Sequence, residues 1–167
     1  MENISPSISF KRNSPTMMFL STKIPPPIVT IVFAILIFYF SDYFFYIELP
    51  YKEFISIFFV LLGFYITFSS ARNFKKKDTT INPLRPNEAT KLVIDGYFKY
   101  TRNPMYLGMA IFLIGLSIYN GLIIGLIFVP LFIAYITFFQ IKSEEVAMIN
   151  IFGDDYRTYM QKVRRWI

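Results

Sequence analysis

Between Tyr106 and Lys142 the chain carries no charged residue, and Asn120-Gly121 divides this apolar stretch in two. A tight turn at that point makes an antiparallel helical hairpin, with one span from Tyr106 to about Tyr119 and the next from Leu122 to about Phe139. Pro130 falls inside the second of these. A kink there is tolerated because neighbouring helices satisfy the freed carbonyl. Two further apolar runs precede the hairpin, Ile28 to about Tyr46 and Phe54 to about Ser70. At roughly 1.5 Å per residue the first covers about 28 Å, close to the hydrocarbon thickness of a bilayer. Gly63, inside the second, permits close helix packing.

Composition agrees with the spans. The 167 residues are 54% hydrophobic and 20% aromatic, with a mean hydropathy of +0.46, which places the chain in the membrane class. There is no cysteine and no histidine. Disulfides, thiol nucleophiles, zinc sites and imidazole acid-base chemistry are therefore excluded within the chain, and no metal site is expected. The net charge of +6 does not point to nucleic acid, because no binding module accompanies it. The expected fold is an all-α integral membrane protein of about four transmembrane helices, with a cytoplasmic cofactor pocket and a C-terminal interfacial helix. Residues 1–27, with Pro25-Pro26-Pro27, read as a flexible N-terminal tail, and 28–167 as a single membrane domain.

Charge fixes the orientation. Of the 17 Lys and Arg residues, only Lys52 lies in the connection between the first two spans. With four spans the others share one side, which the positive-inside rule makes cytoplasmic, with both termini there. In a bacterial cell this means the inner membrane. Residues 71–105 form a long basic loop that contains Lys75-Lys76-Lys77, more an orientation signal than a binding site. Beyond Phe139 the fourth helix continues through Ile141 to Phe152, with Gly153 as its stop. Asp154 or Asp155 caps a final helix towards Trp166, whose Tyr156, Tyr159, Met160, Val163 and Trp166 face the membrane surface.

The same boundary gathers the chemistry: Gly96, Arg102, Asn103, Tyr106, Gln140, Glu144 and Glu145. Gln140 and Glu144 are four apart and share a helix face. Arg102 opens the third span and Glu144 leaves the fourth, so the hairpin brings the two together. Interfacial charges of this kind also serve as plain membrane anchors.

Leu92-Val93-Ile94-Asp95-Gly96, Tyr100-Thr101-Arg102-Asn103-Pro104-Met105-Tyr106, Glu144-Glu145, Phe152-Gly153-Asp154-Asp155-Tyr156 and Val163-Arg164-Arg165 resemble, in this order, the isoprenylcysteine carboxyl methyltransferase family and its phospholipid methyltransferase relatives. The resemblance covers about residues 79–167. It implies a membrane methyltransferase that holds S-adenosylmethionine at the cytoplasmic face and methylates a lipophilic small-molecule or lipidated acceptor. By the same resemblance Lys91, Leu92, Val93 and Phe98 belong to the cofactor pocket, and Asn103, Pro104, Met105 and Tyr106 form its centre. Glu144 is the acidic cofactor ligand, Arg102, Glu144 and Glu145 are the catalytic candidates, and Gln140 falls at a substrate position. Phospholipid N-methylation and an NADPH-dependent membrane reductase of related fold are the alternatives, and a non-catalytic scaffold is a third.

Three positions depart from the family pattern. Asn103 stands where the family usually has histidine, Phe98 where it has the tyrosine of Gly-x-Tyr, and Gln140 where some members place arginine. Asparagine still hydrogen-bonds but takes up no proton. Methyl transfer from a sulfonium donor to a carboxylate needs alignment more than proton removal, and alignment alone supplies up to about 7–11 kcal/mol. Arg102 suits either the cofactor's carboxylate or the orientation of Glu144. Glu144 suits either the cofactor's ammonium or its ribose.

Overall fold

The computed structural model describes residues 24–43, 47, 49–76, 91–120 and 122–167. The polar tail before Ile24, the stretch 77–90 of the basic loop and the Gly121 half of the expected turn lie outside these residues. Among the described residues every regular element is helical: α1 (Pro26–Phe40) with a 3-10 turn at Ser41–Tyr43, α2 (Lys52–Lys76), a 3-10 turn at Gly96–Lys99, α3 (Pro104–Asn120), α4 (Leu122–Ile136), a π-turn at Thr137–Ile141, and α5 (Lys142–Lys162). Pro26 starts α1 at the position where a missing N–H costs nothing. Among the described residues three helices are long and apolar enough to cross a membrane, Pro26–Tyr43, Lys52–Asn73 and the continuous Ile123–Lys162. The apolar helix α3 is shorter, with 17 residues spanning about 25 Å.

The tightest packing joins α2 to α3. A Cβ on Gly63 would stand 2.6 Å from the Gly108 carbonyl oxygen and from the Phe112 nitrogen, and one on Gly108 would stand 2.7 Å from the Gly63 oxygen. The backbones meet because neither residue has a side chain, which is how small residues hold helices together without a hydrophobic driving force. Two hydroxyls cross the same seam: Ser56 donates to the Gly115 carbonyl at 2.8 Å, and Thr67 to the Met105 carbonyl at 3.3 Å. On the other side of α3, Ile37, Leu113, Ile124, Phe132 and Ile136 are buried between α1, α3 and α4. Phe33 of α1 sets its ring edge-on to Phe132, with centroids 5.6 Å apart. Ile31, Ile35, Phe58, Leu61, Tyr65, Leu126 and Leu131 point outward. In water so many exposed apolar side chains would be an aggregation hazard; in lipid they are the expected outer surface.

The C-terminal part differs from the sequence expectation. Gly153 does break the helix, with φ 53° and ψ −122°, but the helix after it ends at Lys162, and Val163 is extended. Tyr156 and Tyr159, expected against the membrane, are buried in the protein, and the Tyr159 hydroxyl donates to the Phe98 carbonyl at 2.6 Å. An apolar stripe fits a protein face as well as a lipid one, and here the Gly96–Lys99 turn supplies the face. Trp166 is not on a helix at all. Its indole N–H reaches Thr137 Oγ1 at 3.1 Å, so residues 163–167 return to the bundle as a strap.

Candidate active site

Two adjacent carboxylates leave α5 in different directions, because successive helical residues lie about 100° apart. Glu144 faces α3. The Tyr106 hydroxyl donates to its Oε1 at 2.5 Å, and the Gln140 amide donates to the same oxygen at 2.8 Å. Glu145 faces the strap and the start of α3. Arg102 Nη2 lies 3.1 Å from its Oε1, while Arg165 takes both oxygens, Nε donating to Oε1 at 3.0 Å and Nη2 to Oε2 at 2.7 Å. The Arg102 and Glu145 side chains are 8% and 9% exposed.

Local sequence explains each placement. Asn103-Pro104 starts α3, with the Asn103 carbonyl accepting from the Leu107 amide and Pro104 as the first helical residue. The π-turn at Thr137–Ile141 adds a residue per turn, so Gln140 and Ile141 are both buried and the helix that follows is rotated relative to α4. Gln140 then stands one turn before Glu144, where its amide reaches the carboxylate.

The strap closes the site through backbone groups. The Arg102 amide donates to the Arg164 carbonyl at 3.0 Å. The Arg165 carbonyl accepts from Asn103 Nδ2 at 2.9 Å and from the Thr101 hydroxyl at 3.2 Å. The Asn103 side-chain amide is thus tied to the strap.

Burial sets the electrostatics. Part of the Glu144 residue is open, but its carboxylate sits among neighbouring groups. That burial pushes it up to about 7, against the hydrogen bonds from Tyr106 and Gln140, with the Glu145 charge adding to the rise. Burial likewise raises Tyr156 and Tyr159 well above the usual tyrosine range. Tyr156 lies within electrostatic reach of Glu145, Arg102 and Glu144. The paired Glu145 raises Arg165 and keeps it a cation. Arg102 keeps two donors that the described residues leave unused. Its Nε and Nη1 are buried and have no partner among the described residues, and an unsatisfied buried donor costs about 1–3 kcal/mol.

The expected site residues therefore fall into groups. Arg102 and Glu145 pair directly, and Tyr106, Gln140 and Glu144 form a second set beside them. Pro104 is buried and Met105 half-buried at the start of α3. Phe98 is buried and its carbonyl is held by Tyr159. Val93 is buried, Leu92 half-buried and Lys91 exposed on the extended stretch leading into that turn. Sequence reasoning gave no site role to Thr101, Thr137 or Arg165, and it set Trp166 against the membrane surface rather than on Thr137. Arg165 was visible within a matched motif, yet nothing in linear spacing shows that it returns to residues more than 60 positions earlier.

Residues 51–155, from the start of α2 to just beyond Gly153, match the phospholipid methyltransferase family. This chain belongs to the phospholipid methyltransferase family. An uncharacterized protein of Haemophilus influenzae is 41% identical over 63 residues, which are 38% of this chain and all of that protein. The protein-S-isoprenylcysteine O-methyltransferase of Schizosaccharomyces pombe is 29% identical over 105 residues, 63% of this chain and 44% of the yeast enzyme. The chain thus spans less than half the length of that enzyme. No solved structure matches the chain. Membership in this family and the three long apolar helices make the chain a membrane protein of methyltransferase type. The strap, beyond residue 155, lies outside the family match.

Proposed function

We propose that this protein transfers a methyl group from S-adenosylmethionine to a lipophilic acceptor at the cytoplasmic face of a membrane, through a four-span bundle with both termini cytoplasmic. The observation that carries this reading is the pair of unpartnered donors on buried Arg102, beside a carboxylate layer at Glu144. A guanidinium whose Nε and Nη1 have no partner among the described residues suits an anion such as a carboxylate, which either donor meets singly. A carboxylate held between a phenol and an amide suits an ammonium or a ribose diol. S-adenosylmethionine carries all of these groups, so the residues present fit it. The bound cofactor supplies an activated methyl group.

The protein's own part is to bind, align and exclude water. Arg102 and Glu144 hold the two ends of an amino-acid moiety, and Tyr106 and Gln140 keep Glu144 from rotating. Phe98, Val93 and Met105 provide apolar walls. The lipid part of an acceptor enters between helices, where no charged residue bars its way. Gln140 is neutral and its amide is directed at Glu144, so it offers no charge to an acceptor carboxylate. The reading is supported by the family match and by the isoprenylcysteine methyltransferase relative. Calorimetric titration of the detergent-purified protein with S-adenosylhomocysteine tests it, with the Glu144→Ala variant alongside. Binding by the wild type and loss in the variant are expected; no heat from folded wild type would count against the enzyme, and equal binding by both would remove Glu144 from the site.

A further inference from the structure

We propose that Arg165 is a positioning residue that keeps Arg102 available to the cofactor's carboxylate, and that Asn103 holds the strap that carries it. The inference rests on the reading of Arg102 given above.

An arginine beside a buried carboxylate normally closes on it with two parallel hydrogen bonds. Arg102 does not. It reaches Glu145 through Nη2 alone, at 3.1 Å. Arg165 occupies the two-pronged arrangement instead, with bonds of 3.0 and 2.7 Å to the two oxygens. Because that geometry is taken, Nε and Nη1 of Arg102 stay without a partner among the described residues, in a side chain that is 8% exposed. Removing the Arg165 guanidinium lets Arg102 turn onto Glu145 and draw one of those donors, with Nη2, onto that carboxylate.

Arg165 is fixed on both sides. Its carbonyl accepts from Asn103 Nδ2 and Thr101 Oγ1, and the preceding carbonyl accepts from the Arg102 amide. The next residue, Trp166, is pinned to Thr137 of the π-turn, whose hydroxyl donates onward to the Ile133 carbonyl and so leaves a lone pair for the indole. The strap therefore links the start of α3 to the turn that carries Gln140. Asn103, which takes up no proton, meets the strap as a neutral amide donor.

The test compares two ligands on the full chain in detergent: S-adenosylhomocysteine, and 5′-methylthioadenosine, which keeps the adenosine and thioether but lacks the amino-acid carboxylate. Arg165→Gln should lower the affinity for S-adenosylhomocysteine about tenfold or more, leave methylthioadenosine within about twofold, and so erase the preference between them; Arg165→Lys should fall between. An equal loss for both ligands would mean a purely structural role and overturn the proposal, as would an unchanged preference. A wild type that binds neither ligand would overturn the cofactor reading and this inference together, whereas wild-type binding with an unchanged ratio in the variants would overturn this inference alone. Should Arg165→Gln fail to fold, Asn103→Leu keeps Arg165 and removes one anchor. It should narrow the ligand preference and shift the emission of Trp166, the chain's one tryptophan, to the red. No shift together with an unchanged preference would also overturn the proposal.

Discussion

Glu144 gives the account a quantitative handle, because its carboxylate titrates near neutrality. Its ordinary value of 4.5 is pushed up to about 7, chiefly by burial. A cationic or hydroxyl-bearing ligand selects the ionised form, so the free protein must give up a proton before it binds. With a value of about 7, roughly one-eleventh of the carboxylates are ionised at pH 6 and ten-elevenths at pH 8. Affinity for S-adenosylhomocysteine should therefore rise about tenfold between those pH values and level off above them. The assay is calorimetry at several pH values in buffers of different ionisation heat, which also counts the released proton. Glu144→Gln keeps the shape of the side chain but should bind weakly and without that pH dependence. A flat wild-type profile, or a slope retained in the glutamine variant, would refute the assignment of Glu144 as the titrating ligand.

Further outcomes follow from the same contacts. Because the folded value of Glu144 lies above its unfolded one, the fold binds more protons than the unfolded chain between about 4.5 and 7; thermal stability should fall as pH rises across that window, and Glu144→Gln should flatten the fall. Tyr106→Phe removes the hydroxyl 2.5 Å from Glu144, so the carboxylate loses a stabilising donor and the midpoint of the pH-affinity profile should move upward. Gly63→Ala places a methyl group 2.6 Å from backbone atoms of α3 and should cost about 1–3 kcal/mol, read from the thermal melt of purified protein. Gly153→Ala meets no steric obstacle but must adopt φ 53°, and a loss of about 1–3 kcal/mol is expected from backbone strain alone.

The parts legible in the sequence were those governed by local spacing. Asn103-Pro104 announced the start of a helix, the charge-free stretch announced the hairpin, and the four-residue spacing of Gln140 and Glu144 announced their contact. Gly63 announced a close helix approach, which the backbone contact with Gly108 bears out. The pairing of Arg102 was not legible. Two consecutive glutamates point in different directions, and the π-turn before them changes the rotation of α5, so no periodicity argument could choose Glu145 over Glu144. The inward face of Tyr156 and Tyr159 was hidden for a different reason: amphipathicity shows which residues avoid water and not what covers them. The strap was hidden because its contacts are backbone carbonyls and one guanidinium far along the chain, and such contacts leave no pattern in a linear sequence.

The function predicts transfer of a labelled methyl group. Protein reconstituted into liposomes of cellular lipid extract and given S-adenosylmethionine with a radiolabelled methyl should move label into the organic-soluble fraction, with Glu144→Gln and Arg102→Leu reducing the rate at least about tenfold. Folded wild-type protein that leaves all the label in the aqueous donor, or variants that transfer it as fast as the wild type, would contradict the account.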